Sequence, residues 1–206
     1  MNKSLQNIVI LFSLLLLSTS CGNNDDNNSR SLDNAFTING TNYETPNAYL
    51  VFDDNSPYGD AFFLDFLDSD LREDAVNGIS VSSNMNHGVV LFVEHSQNDV
   101  LTEQDIIIAN NTTYPLEKGN TLALTNVTGF IDTYTYNGIT YGEPDLNASN
   151  VYEIENSGSG TLTINTIVID YVARVGTVDC SYQITDDNGI VITGNYNGSF
   201  NILNGF

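Results

Sequence analysis

In a chain of 206 residues, 26 acidic side chains against five basic ones leave a formal charge of −21 at neutral pH. That balance excludes nucleic acid as a partner, because gripping phosphates takes clustered Lys and Arg, and it opposes adsorption to an anionic membrane surface. It does not mean disorder: 41% of the residues are hydrophobic, with eleven Tyr and ten Phe, enough for one domain with a real core.

Lys3 places a positive charge ahead of Ile8 to Leu17 (IVILFSLLLL), an apolar run broken only by Ser13. A membrane-spanning helix needs about 20 apolar residues, so the run reads as the hydrophobic region of a cleavable leader. It is apolar on every face and followed at once by a polar tract, which does not suit a buried core helix. Leu17-Ser18-Thr19-Ser20-Cys21 then resembles a bacterial lipobox, with Ser18 where the lipobox favours Leu. The resemblance implies cleavage before Cys21 and acylation of that residue, and more than one acyl chain anchors a protein where a single chain binds only marginally. The lipid bilayer is thus an expected partner. Gly22 to Asn28 (GNNDDNN) is similar to the acidic tract that follows the lipidated cysteine in surface lipoproteins of the Bacteroidetes type. That similarity implies an address on the outer face of the outer membrane, and Gly22 is not the Asp that retains enteric lipoproteins at the inner membrane. By composition, residues 21–34 are a solvated, disordered tether. The expected organisation is a signal peptide over 1–20, the lipidated tether over 21–34 and one domain over 35–206.

From Ala35 onward the periodicity is that of strands. Phe62, Leu64 and Phe66 alternate with Phe63, Asp65 and Leu67; Gly88 to His95 (GVVLFVEH) is a strand-length apolar run. Ser69 to Asn77 has room for one short helical turn, and Asp105 to Asn110 (DIIIAN) reads as a strand among polar loops. Gly160 to Val172 puts Leu162, Ile164 and Thr166 on one face. Thr177 to Thr185 puts Val178, Cys180 and Tyr182 on one face, and Ile190 to Leu203 alternates again, with Gly194 and Gly198 suggesting a bend or bulge. Asn-Gly signals at Asn39-Gly40 and Asn137-Gly138, and Asp187-Asn188-Gly189, have strand-like residues on both sides, as tight hairpin turns require. Asn77-Gly78 and Asn197-Gly198 carry the same dipeptide. The class is all-β: a single antiparallel β-sandwich, ahead of a closed barrel, with Phe62, Phe66, Leu91, Ile164, Ile169, Tyr182, Ile192 and Phe200 in its core.

Phe36 to Pro46 (FTINGTNYETP) and Tyr134 to Pro144 (YTYNGITYGEP) share Thr, Asn, Gly, Tyr and Pro in register. The match stops at their flanks, so two hairpins obeying the same turn physics account for it better than a duplicated half-domain. The opening segment, with its F-x-I-N-G-x-x-Y pattern, and the closing one, with Asp186, Gly189, Ile192, Gly194, Tyr196, Gly198 and Phe200, resemble the two ends of small surface lipoproteins of the Bacteroidetes type. That resemblance implies a β-sandwich and carries no catalytic residue.

Chemistry-bearing patterns are few. His87 and His95 lie about 27 Å apart along one strand and share no site through it. There is no Gly-x-Ser-x-Gly elbow and no zinc motif. With Cys21 acylated, Cys180 has no disulfide partner and reads as a small buried hydrophobe. Asp68, Asp70 and Asp74 are candidate ligands for a structural calcium ion, although Arg72 and Glu73 break the EF-hand pattern; Asp53, Asp54, Asn55 and Asp60 form a second loose oxygen cluster. No other cofactor is expected. Tyr134, Tyr136 and Tyr141 gather on one hairpin, with Tyr134 and Tyr136 on one face, which suits contact with a glycan or a protein partner, although strand aromatics commonly serve packing. The functional expectation is a non-catalytic binding or envelope-structural module. The alternative is a glycosidase-like hydrolase whose two carboxylates stand about 5 to 9.5 Å apart.

Overall fold

Residues 33–53, 60–74, 76, 78–95 and 106–203 are described by the computed structural model, so the leader, Cys21 and the residues Asp54 and Asn55 lie outside the described part. The first half of the fold holds β1 (Ala35–Ile38), β2 (Thr41–Glu44), β3 (Asn47–Asp53), β4 (Asp60–Leu67), β5 (Leu71–Asp74), β6 (Gly78–Ser82) and β7 (Gly88–His95). The second half holds β8 (Thr112–Pro115), β9 (Leu122–Thr125), β10 (Phe130–Tyr136), β11 (Ile139–Pro144), β12 (Asn150–Glu153), β13 (Ser159–Asp170), β14 (Val175–Thr185) and β15 (Val191–Leu203). A single 3-10 turn, Leu146–Ala148, is the only helical segment among the described residues. The fold is all-β.

Turn chemistry ends the strands where expected. Asn39 and Gly40 join β1 to β2 with φ of 51° and 81°, and Asn137 and Gly138 join β10 to β11 with φ of 48° and 82°. Two successive left-handed residues match the right-handed twist of the flanking strands, and Asn and Gly tolerate that region best. Between β14 and β15, the Asp186 N–H donates to the Ile190 carbonyl at 3.0 Å, and the Asp186 carboxylate accepts the Ile190 N–H at 2.7 Å. The two similar hairpins belong to different sheets, β1–β2 to the larger and β10–β11 to the smaller. Asn197-Gly198 is no turn: it runs inside β15, which pairs with β14 without a register break.

Sheet A follows the order β12-β9-β7-β4-β3-β15-β14-β13-β8, with β1 and β2 beside the first part of β15. Every pairing is antiparallel except β15 with β3, where Asn201 to Leu203 run parallel to Tyr49 to Val51. The sheet is strongly curled. Phe62 on β4 meets Tyr114 on β8 edge to face at 5.9 Å, yet the two strands are five places apart, about 24 Å on a flat sheet. At one end the curl is stitched by consecutive residues. The Leu116 N–H donates to Gly160 next to β8, and the Glu117 N–H donates to Phe92 on β7, each at 3.0 Å. The result is a β-sandwich verging on a half-barrel.

Side chains on the inner face fill the curl. Phe62, Leu64 and Phe66, then Leu91, Ile164, Ile184 and Ile192, are fully buried, with Tyr182 and Phe200 beside them. Tyr182 stacks on Phe66 at 5.5 Å with the rings 2° from parallel, and Phe66 stacks on Tyr196 at 4.9 Å. Cys180 belongs to this core, and its burial pushes the thiol up to about 12, which suits a small hydrophobe and no thiolate chemistry. Of the expected core residues only Ile169 is half-buried. The register of β13 slips between Ile164 and Thr166, so Asn165 is an extra residue that exchanges the faces beyond it. Ile167 is therefore buried and Thr166 exposed.

Gly194 lies directly opposite Tyr182, whose ring is held between it and Phe66. A Cβ at Gly194 would overlap that ring, which has nowhere to move. The glycine is there for close approach, not for a bend. Gly194→Ala is expected to cost about 1–3 kcal/mol, read as a lower urea midpoint at unchanged slope.

Two local expectations are corrected. Ser69 to Asp74, the continuously described part of the stretch expected to turn helically, runs into a strand instead, because Leu71 packs into a second core and Leu71 to Asp74 pair with β6. Ile106 to Ala109 alternates, with Ile106 and Ile108 buried and Ile107 exposed, but forms no strand. Side-chain hydroxyls satisfy its backbone instead: Tyr114 accepts from the Ala109 N–H at 2.7 Å, and Tyr171 donates to the Ile106 carbonyl at 3.4 Å. Sheet B, in the order β10-β11-β6-β5, closes that second core, made of Tyr49, Leu67, Val81, Met85, Leu124 and Val127.

Candidate functional site

Strand parity decides what sheet B shows to solvent. Leu71 and Val81 point into the second core, so Arg72, Ser80 and Ser82 point the opposite way. Register then fills the outward face: Arg72 is opposite Ser80, Ser82 opposite Tyr141, Tyr141 opposite Tyr134, and Ile139 opposite Tyr136. The serines are buried and small. Over them Arg72 leans in from one edge and the tyrosines from the other.

The three expected tyrosines converge, and their centre is a residue the sequence reading passed over. The Arg72 guanidinium carbon lies 3.7 Å above the Tyr136 ring, and 5.7 Å and 5.9 Å from the centres of Tyr134 and Tyr141. Its Nη1 donates to Asp74 at 2.8 Å and to the Tyr134 hydroxyl at 3.0 Å. Asp74 and then the Tyr134 hydroxyl raise the arginine's pKa further, so the cation is permanent. Tyr134 and Tyr141 stack at 5.9 Å. Tyr141 is buried, while Tyr136 and Ile139 are 47% and 44% exposed, so these two present the open part of the face. A lone cation inside the acidic run Asp68 to Asp74 was the available signal for Arg72.

The calcium candidates are engaged separately. Asp68 accepts the backbone N–H groups of Asn86 at 3.1 Å and His87 at 3.2 Å, and also lies 3.2 Å from His87 Nδ1. Asp74 is held by Arg72 on a strand, and Asp70 is exposed, its carbonyl accepting the Ser82 N–H at 2.8 Å. Among the described residues no three His, Cys, Asp or Glu side chains group as metal ligands would.

The two carboxylates whose titration departs furthest from ordinary have other surroundings. Asp187 accepts the N–H groups of Glu155, Asn156, Ser157 and Gly158, the last at 2.7 Å. These donors, Gly158 first, hold it down to about 2, and they pin the β12–β13 loop to the β14–β15 turn. Asp65 is the reverse case: burial alone pushes it up to about 7, and its Oδ1 has no hydrogen-bond partner. No protein-family model, curated protein or solved structure matches this chain.

Proposed function

We propose that this protein is a lipid-anchored, surface-exposed lipoprotein whose domain is a non-catalytic binding module. Its contact face is the outward side of sheet B, where it meets a glycan or a protein partner. One observation carries the reading: three tyrosines converge on a single guanidinium beside an exposed Ile139, on a face turned away from both cores. Packing alone gives no reason to order that many aromatic groups at a surface. Tyr and Arg ordered in advance lose little side-chain entropy on contact, and such residues dominate binding energies. Arg72 covers one side of Tyr136, so the other side and Ile139 are the available contact.

The Cys21→Ser chain, expected to leave the membrane fraction without unfolding, supplies the soluble probe. It is applied to a glycan array, with released sugars assayed on the same samples, and to immobilised envelope proteins. Retention without released sugar is expected, and Tyr136→Ala is expected to weaken it about tenfold or more. Released sugar that disappears when one carboxylate is changed overturns the reading in favour of a hydrolase. Unchanged binding in Tyr134→Ala, Tyr136→Ala and Tyr141→Ala removes this face from consideration.

A further inference from the structure

We propose that Asp65 makes the docking of sheet B against sheet A, and through it the tyrosine and arginine face, responsive to acidity. The part concerning the face rests on the function proposed above; the docking itself does not.

Asp65 belongs to the outer side of β4, with Phe63 and Leu67, since Phe62, Leu64 and Phe66 take the inner side. Directly across from it stand Tyr49 on β3 and Val90 on β7. Tyr49 and Leu67 are members of the core that sheet B closes. The carboxyl is thus set at the border of the two sheets, 9% exposed, with Oδ1 unpartnered. Tyr49 carries the connection onward: its hydroxyl accepts the Leu71 N–H at 3.0 Å, and Leu71 immediately precedes Arg72. The titratable groups near enough for their charge to act on Tyr49 are Asp70 before β5, Tyr141 on β11 and Asp65 itself. All three are acidic groups, and among the described residues no cation or donor offsets the burial of Asp65.

An ionised carboxylate in that position has its Oδ1 dry and without a donor to replace water, and such a group either keeps its proton or forces an opening that hydrates it. The opening has an obvious plane. Among the described residues sheet B shares no ladder with sheet A and meets it through side chains, whereas β4 is paired along its length on both sides. The Tyr49 to Leu71 hydrogen bond spans that plane and reports on it.

Amide hydrogen exchange at Leu71 in the full chain, followed by NMR between pH 4 and pH 9, tests the idea without any ligand. After correction for intrinsic exchange, the opening constant is expected to rise about tenfold per pH unit to about pH 7 and then level off. The Asp65→Asn variant is expected to show no such rise. A flat wild-type profile, or the same rise in the variant, overturns the proposal. Should Asp65→Asn fail to fold, the carboxyl-carbon resonance of Asp65 in the unaltered protein decides: a midpoint near 7 supports it, and one near 4 overturns it. Tyr136→Ala is expected to leave Leu71 exchange unchanged, so loss of the binding reading and loss of this one are separate results.

Discussion

Phe66→Ala is expected to destabilise the domain by about 3–5 kcal/mol, the range for truncating a fully buried aromatic side chain. Phe66 is completely buried and is the ring on which Tyr182 and Tyr196 both stack, so it ties β4 to β14 and β15 across the curl. Its removal opens a cavity lined by two tyrosines. The Tyr182 hydroxyl, already buried without a partner, cannot be relieved by a collapse that leaves it dry. Urea unfolding followed by tyrosine fluorescence measures the loss, since the chain has no tryptophan. A cost below about 1 kcal/mol would mean that β4 and β14 do not face each other across a common core.

The second large effect belongs to Asp65 and depends on pH. Its folded-state pKa is raised from 3.8 to about 7, so between those values the folded protein holds a proton that the unfolded chain releases. Stability contributed by that proton is full at low pH, falls as pH rises from about 4, and is gone above about 7. The whole change is on the order of 4 kcal/mol. Asp65→Asn abolishes the titration. The variant is expected to lose less stability than the unaltered protein between pH 4 and pH 8, by up to that amount, in urea titrations at the two pH values. An amide in the same place is also unpartnered, so the comparison is of slopes with pH, not of absolute stabilities. Parallel slopes in the two proteins would show that Asp65 reaches water in the native state.

Much of this fold is legible in the sequence because local physics writes it. Alternation marks β4, β14 and β15, and Asn-Gly pairs mark the hairpins, since few other residues accept two left-handed positions in succession. The tyrosine hairpin was legible for the same reason: Tyr134 and Tyr136 are two apart on one strand, and the turn sets Tyr141 opposite Tyr134. The exchange of faces at Asn165 was not legible. An extra residue in a strand leaves no compositional mark when the residue after it, here Thr166, suits either face. Ile106 to Ala109 reads as a strand because a run of isoleucines suits one, yet the hydroxyls of Tyr114 and Tyr171 supply hydrogen bonds there in place of a ladder. Arg72 was not legible as part of the site because its aromatic partners come from β10 and β11, more than sixty positions away, and no local pattern links them.

The position of β15 has a consequence for how the chain acquires its structure. This strand of 13 residues joins β14 on one side, and β1 and then β3 on the other. It comes later in the chain than every strand it joins. In the ladder order the β3, β4, β7, β9 and β12 strands and the β13–β14 hairpin are joined through β15, so the larger sheet is not continuous while that strand is absent. Contacts between partners so far apart in sequence are slow to form, because a long loop must be ordered before any of them is made. Folding is therefore expected to be late and all at once, with no stable half-domain during synthesis. A nascent chain halted before Val191 should remain open to protease while one extended past Leu203 is not.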